Sequence, residues 1–165
     1  MNSSRCSGCG LDLPIEDGPV HRYMKSTAAC WAKYGELLAR EYENPEYMAV
    51  HRLTVDTYAA QHPGAPSPQS VQSVAVHLIS MYAVLEKSMD QRSATALIQV
   101  CADNGRFEWL TPPDQPYHLN VLHPLKARSA AEHADAVREW AQYTWEAWAA
   151  HHGQVRAWAA QFSDA

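Results

Sequence analysis

The sequence lacks the features that would place the protein in a membrane, in a secretory pathway or on nucleic acid. No apolar run approaches the roughly 20 residues that a membrane-spanning helix needs. The N-terminus MNSSRCSGCG contains no apolar stretch of the kind found in signal peptides. The 13 basic residues are scattered among 18 acidic ones, with a formal net charge of -5, whereas a nucleic-acid surface shows clustered lysine and arginine. We therefore expect a cytoplasmic protein that binds neither a membrane nor nucleic acid.

Several familiar catalytic motifs are also missing. The chain has no glycine-rich phosphate loop, no serine nucleophile elbow and no HExxH motif of zinc proteases. It contains no internal repeat, no low-complexity segment and no Gly/Ser linker. A length of 165 residues, of which 47% are hydrophobic, fits one core. We therefore predict a single domain over residues 1–165, and no motif names a reaction.

Helical periodicity is present along most of the chain, and prolines divide it into segments. Asn44-Pro45 and Ser67-Pro68 each combine an N-cap residue with a proline at the first helical position. These signals predict a core built on a helical hairpin over residues 28–102. The predicted helices of this core span residues 28–42, 45–62, 68–88 and 93–101.

The remaining segments predict a small β element and one long helix. Within residues 103–128, the runs FEWLTPP and YHLNVLH are typical of two short strands that form a hairpin. Ser129 and Glu132 form a capping box that opens a Trp-rich helix over residues 129–162. Residues 1–27 are irregular, with one short strand predicted at VHRY. The predicted fold is a mostly α, compact domain of about five helices with a small β-hairpin and an N-terminal metal-binding lobe.

A zinc knuckle is the strongest chemical signal in the sequence. Cys6 and Cys9 are separated by two residues, a spacing that lets both sulfurs reach one tetrahedral ion. A redox dithiol with this spacing would be expected in a βαβ context, which is absent here, and two unpaired structural cysteines would need a core around them. Cys30 follows at a predicted helix N-terminus, where the dipole favours a thiolate, so it is the natural third ligand. Cys101 ends an apolar helix and is predicted to be a core residue.

The fourth ligand is open among several histidines. His21 gives the spacing C-x2-C-x11-H-x8-C, which suits a closed zinc site. His51 is its main competitor, and the other histidines of the second and third predicted helices, His62 and His77, compete as well. If the second and third helices are antiparallel neighbours, His51 and His77 lie at a similar distance from the turn and face each other. Taken alone, His77 is equally explained as a satisfied core residue, and its shared level with His51 favours a functional pair slightly.

The segments CSGCG, DGPVHRYMKSTAACWAKYGEL, VHRLTVDTYAAQHPG and QSVAVHL resemble a family of short bacterial proteins known as domain of unknown function 5946. The similarity spans residues 6–160, and VDTYAAQHPG is its most specific element. The resemblance supports the fold and metal binding, and it implies no activity. It also places these residues within family motifs: Cys6, Cys9, His21, Cys30, His51, Asp56, His62 and His77.

Three functions agree with these features. The first is a small zinc-binding protein whose Zn2+ is structural, because three thiolates and one histidine make a closed site. The second is a metalloenzyme of hydrolase or lyase type. In it, His51, His62 and His77 hold a metal, and Asp56 or His62 acts as general base on a small substrate. An ordinary surface ion pair with Arg52 explains Asp56 equally well. The third is a partner-binding module or homodimer that docks through the aromatic C-terminal helix.

Overall fold

The computed structural model describes residues 2–162, and within them the chain is mostly helical. Strands β1 (Ser3–Arg5) and β2 (Asp12–Pro14) pair antiparallel at the N-terminus. The α-helices that follow are α1 (Ala28–Glu43), α2 (His51–Gln61), α3 (Pro68–Lys87), α4 (Gln91–Asn104), α5 (Leu122–Leu125), α6 (Ala130–Ala147) and α7 (His152–Ala160). The predicted mostly α class with a small hairpin is confirmed, with seven described helices in place of about five.

Side-chain caps explain where most of the long helices begin. Thr27 accepts a hydrogen bond from the backbone of Cys30, and Ser67 and Ser129 cap α3 and α6 in the same way. Asn44 differs from the prediction, because its side chain donates to the carbonyl of Arg40 at the end of α1. The segment Pro45–Val50 that follows is a 3-10 helix, and α2 begins only at His51.

Buried side chains form two clusters, and the smaller one contains three of the four cysteines. The larger cluster includes Ile79 of α3, Trp145 of α6 and Trp158 of α7. The smaller cluster joins the N-terminal lobe to Tyr34 of α1 and Tyr58 of α2. Since α6 contributes to both clusters, it fixes the N-terminal lobe relative to the rest of the helices.

The β-hairpin lies in a different place from the predicted one. It flanks the CSGCG segment, with Ser4 opposite Leu13, whereas residues 105–121 contain neither helix nor strand. Three prolines in this stretch cannot donate to a β ladder, which accounts for the difference. The Tyr117 amide donates instead to the carbonyl of Cys9 at 3.1 Å. The stretch therefore packs against the N-terminal lobe as a loop, and the VHRY segment is also not a strand.

The predicted long C-terminal helix is broken after Ala147. A 3-10 turn separates α6 from α7, and His152 stacks on Trp145 with ring centroids 3.8 Å apart. The break lets Trp148 point inward, where its indole N–H donates to the carbonyl of Ala60 at 3.2 Å. Trp145 and Trp148 are therefore core residues. A partner protein or a second copy that docked here would contact the exposed faces of α6 and α7 instead.

The loop between α2 and α3 predicts a contrast between two glycine-to-alanine substitutions. Gly64 has φ of +72°, and a Cβ there would overlap the carbonyl oxygen of Tyr23. We expect Gly64→Ala to destabilise the protein by about 1–3 kcal/mol, since the left-handed backbone and the clash both oppose it. Urea unfolding followed by circular dichroism measures this change.

Gly35→Ala is the matched control for this prediction. Gly35 lies within α1, and a Cβ there meets no atom within 4 Å. Alanine should stabilise a helix interior by about 0.5–1 kcal/mol relative to glycine. Equal effects of the two substitutions would contradict the close approach at Gly64.

Candidate metal centre

Four buried side chains converge between the N-terminal lobe and the first two long helices. They are Cys6, Cys9, Cys30 and His62, and their ligand atoms all lie within 4.8 Å of one another. Cys6 and Cys9 come from the turn between β1 and β2, Cys30 from the first turn of α1, and His62 from the C-terminal end of α2. We call these four residues the Cys3His cluster.

The turn that carries the first two thiols depends on its glycines. The backbone of Cys6 donates to Leu11 at 2.8 Å and accepts from Gly10 at 2.9 Å, which closes the turn. Gly10 has φ of +79°, a conformation that glycine adopts without strain. A Cβ at Gly8 would overlap the His62 ring. Glycine therefore allows both the tight turn and the close approach of the histidine.

Cys30 is the hub of the cluster. Its Sγ lies 3.8 Å from Sγ of Cys9, 3.4 Å from Nε2 of His62 and 3.4 Å from the hydroxyl of Tyr58. A disulfide would bring two sulfurs to about 2.05 Å, and all four cysteines are free. The sulfurs are thus in contact without being bonded.

A backbone contact sets the tautomer of His62. Its Nδ1 lies 2.7 Å from the carbonyl oxygen of Tyr58, one helical turn earlier. A carbonyl only accepts hydrogen bonds, so Nδ1 carries the proton and Nε2 of the neutral ring directs its lone pair towards Cys30. Stacking on the Tyr58 ring, with centroids 3.8 Å apart, holds the imidazole in this orientation. Metal-binding histidines are commonly oriented by such a contact.

The thiols perturb one another strongly. Hydrogen bonds from Cys30 and Cys9 lower the pKa of Cys6, so that one thiolate is favoured. Hydrogen bonding to Cys30, with a further contribution from Cys6, raises the pKa of Cys9. Hydrogen bonding to Cys6 raises the pKa of Cys30 to about 12. Without a cation, the cluster therefore favours one thiolate and two protonated thiols. Three buried thiolates would need a bound cation to balance their charge.

The structure corrects the predicted fourth member of the cluster. His21, the first choice, uses its Nδ1 lone pair to accept from the amides of Tyr23 and Met24, both at 3.2 Å. Burial, with a smaller contribution from the charge of Arg22, lowers the pKa of His21. The position is taken by His62, which the sequence had suggested as a lesser competitor for the fourth ligand, as a helix exit and as a catalytic candidate.

His51, the second choice, also lies outside the cluster. Its Nδ1 is 2.9 Å from the buried carboxylate of Glu41, and its Nε2 is 3.3 Å from the hydroxyl of Tyr42. Because the preceding segment is a 3-10 helix, His51 starts α2 and its side chain turns towards α1. His51 is thereby separated from the cysteines and from the predicted partner His77.

The proposed catalytic set does not form one site. His77 pairs with Asp56 at 2.8 Å rather than with His51, and His62 belongs to the Cys3His cluster. Asp56 is fully buried, so it is not the ordinary surface ion pair that the sequence allowed. The prediction that His51 and His77 face each other was wrong because it assumed a symmetric turn, whereas residues 62–67 are irregular. Cys101 is buried away from the cluster, and burial raises its pKa to about 11.

A comparison with protein-family models places the chain in a family. In the part of the chain that the structure describes, no helix combines the length and the apolar character needed to cross a membrane. No curated protein and no solved structure shows a significant match to the chain. A family model described as "Family of unknown function (DUF5946)" matches residues 4–149, which include the whole Cys3His cluster. The chain therefore belongs to the DUF5946 family, as the motifs around Cys6, Cys30 and His62 suggested.

Proposed function

We propose that the protein is a small cytoplasmic zinc-binding protein in which Cys6, Cys9, Cys30 and His62 hold one structural Zn2+. The observation that carries this proposal is the convergence of three thiols and one correctly oriented imidazole nitrogen within 4.8 Å. An S3N donor set is soft and suits zinc, whereas magnesium and calcium prefer oxygen ligands. Free thiols also fit a reducing compartment.

The spacing of the donor atoms supports a tetrahedral ion. With zinc–sulfur bonds of about 2.3 Å, two sulfurs of a tetrahedron lie about 3.8 Å apart, and a sulfur and a nitrogen lie about 3.5 Å apart. The contacts between Cys9 and Cys30, at 3.8 Å, and between Cys30 and His62, at 3.4 Å, match these values. These two pairs would need little movement to bind the ion.

The burial of the cluster supports a structural role over a catalytic one. The four side chains are 0–1% exposed, so four protein ligands would fill the coordination shell and leave no position for water or substrate. The ion would join three segments that are distant in the sequence: the N-terminal turn, the start of α1 and the end of α2. The ion would stabilise the N-terminal lobe, which has little regular structure, in the way that a covalent cross-link does.

Two histidine variants test the ligand set. We expect protein purified without chelator to contain one zinc per chain, and His62→Ala to weaken zinc affinity by at least about 100-fold. Loss of an outer contact alone costs about 10–100-fold, and a direct ligand contributes more. Elemental analysis and competition with a chromogenic chelator provide the measurements.

His21→Ala is the matched control, because His21 lies between Cys9 and Cys30 in the sequence and accepts hydrogen bonds from two backbone amides. It should retain one zinc per chain with nearly unchanged affinity. If His21→Ala lost the metal while His62→Ala kept it, the proposed ligand set would be overturned. Purified protein that binds no zinc would reject the proposed function itself.

A further inference from the structure

A second polar cluster lies between α2 and α3, outside the metal centre. The carboxylate of Asp56 is fully buried and accepts hydrogen bonds from Arg52, His77 and Ser80. The Arg52 guanidinium is 2.8 Å away and keeps the carboxylate paired with a positive charge. Three donors from two helices thus hold Asp56 in one position.

Asp56 in turn orients the ring of His77. A carboxylate is an acceptor only, so the contact of 2.8 Å places the proton of neutral His77 on Nδ1 and the lone pair on Nε2. Within residues 2–162, Nε2 of His77 has no hydrogen-bond partner. It is not fully buried either, so solvent can reach it. The side chain is 16% exposed, so Nε2 is an oriented acceptor that a ligand can reach.

His77 lines a cleft of about 400 Å³ between α3 and the segment that contains Arg22 and Tyr23. A neighbouring cavity of about 360 Å³ shares Arg22, Tyr23 and Gln69 with it and adds Lys25. The shared lining makes the two cavities parts of one surface groove, which we call the His77 cleft.

The charge of the His77 cleft is opposite to that of the whole protein. The chain carries a net charge of -5, yet no aspartate or glutamate lines either cavity. Arg22 and Lys25 form no ion pair with the described residues. Two unpaired cations in an otherwise acidic protein would attract an anion, and the arginine fork matches the oxygens of phosphate or carboxylate.

We propose that the His77 cleft binds a small anion that also carries a hydroxyl group, such as hydrogen phosphate or a hydroxy acid. The negative oxygens pair with Arg22, and the hydroxyl donates to Nε2 of His77. An anion without a hydroxyl, such as sulfate or acetate, satisfies Arg22 but leaves the Nε2 lone pair without a donor. The two side chains together therefore select for both features of the ligand.

This proposal is independent of the chemistry of the metal centre, although the two sites share a segment. Arg22 and Tyr23 lie in the sequence between Cys9 and Cys30, and the carbonyl of Tyr23 packs against Gly64. The wall of the cleft is thus held by the same lobe that the metal would anchor. The test uses the protein as purified, with its metal content measured first.

Nuclear magnetic resonance titrations near neutral pH test the proposal. Inorganic phosphate and lactate are the probes, and sulfate and acetate are their analogues without a hydroxyl. We expect at least one of the two probes to shift the amide resonances of Gln69, Gln72 and Ser73 saturably. The hydroxyl-free analogue of that probe should bind at least about tenfold more weakly, as the loss of one hydrogen bond predicts. Which probe binds identifies the source of the anion.

Two arginine variants complete the test. Arg22 is exposed, so Arg22→Gln should fold normally and weaken binding at least about tenfold. Arg106→Gln is the matched control, because Arg106 is exposed and lines neither cavity. Absence of saturable shifts with both probes, equal binding of the hydroxyl-free analogues, or equal binding by the two variants would each overturn the proposal.

Discussion

Replacing Cys30 by serine is expected to remove the metal and unfold the N-terminal lobe. Cys30 contacts Cys9, His62 and Tyr58, so its loss removes the residue at the centre of the proposed ligand set. Structural zinc contributes about 10–16 kcal/mol of apparent binding free energy in zinc-finger peptides. Whole domains are stable by only about 5–15 kcal/mol. We therefore expect a protein with less than one-tenth of the zinc and a stability lowered by several kcal/mol.

Zinc content and thermal unfolding, measured on the same preparations, check this prediction. Incubation of the unaltered protein with a strong chelator should lower its melting temperature in the same way, and added zinc should restore it. Amide hydrogen exchange should show the loss of protection first in residues 2–30, because the proposed zinc would hold this lobe against α1 and α2.

Cys101→Ser is the matched control, since Cys101 is equally buried but lies in the larger hydrophobic cluster. A buried hydroxyl without a partner costs about 1–3 kcal/mol, so this variant loses stability while keeping one zinc per chain. If both serine variants kept the metal, or if Cys30→Ser were as stable as the unaltered protein, the structural role of the cluster would be rejected.

Replacing Glu41 by alanine is expected to have the second-largest effect, through a hydrogen-bond network that shares no residue with the Cys3His cluster. The Glu41 carboxylate is fully buried and accepts from His133 at 2.8 Å, His51 at 2.9 Å and Thr54 at 2.6 Å. Removing one partner of a buried charged network costs about 3–5 kcal/mol, because the remaining polar groups lose their partner without regaining water. Denaturant unfolding should show this loss while zinc content stays unchanged.

Glu36→Ala provides the matched control on the same helix. Glu36 is exposed and pairs with Lys33 at 3.0 Å, a surface contact worth about 0–1 kcal/mol. Its substitution should change the free energy of unfolding by less than about 1 kcal/mol. Equal effects at the two positions would contradict a buried network that links α1 to α2 and α6.

Acid should weaken the protein through the same carboxyl group. Burial raises the pKa of Glu41, but the hydrogen bonds from His133, His51 and Thr54 outweigh it and lower the pKa below the ordinary value of 4.5. An acid whose pKa is lower in the folded state stabilises the fold above its unfolded pKa. That stabilisation is lost as the pH falls from about 4.5 through the lowered value. Glu41→Gln, which does not titrate, should lack this part of the acid dependence; an unchanged dependence would exclude Glu41 as its source.

Local sequence signals determined most of the helices and three members of the Cys3His cluster. Thr27, Ser67 and Ser129 cap helices because their side chains bond to amides only three residues away. The two-residue spacing of Cys6 and Cys9 likewise brings both thiols into one turn. Signals of this kind act over a few residues and are therefore readable before the chain folds.

Only the tertiary structure decided the remaining parts. His62 joins the cluster because α2 ends beside the N-terminal turn, and no local pattern states which histidine will meet that turn. The β-hairpin forms on the two sides of the CSGCG segment, because prolines after residue 111 prevent the pairing predicted within residues 103–128. The pairing of His77 with Asp56 depends on the path of residues 62–67, which periodicity does not describe. Contacts between distant segments depend on how whole helices pack. For that reason the sequence by itself identified the three cysteines of the cluster, whereas only the tertiary structure decided which histidine joins them.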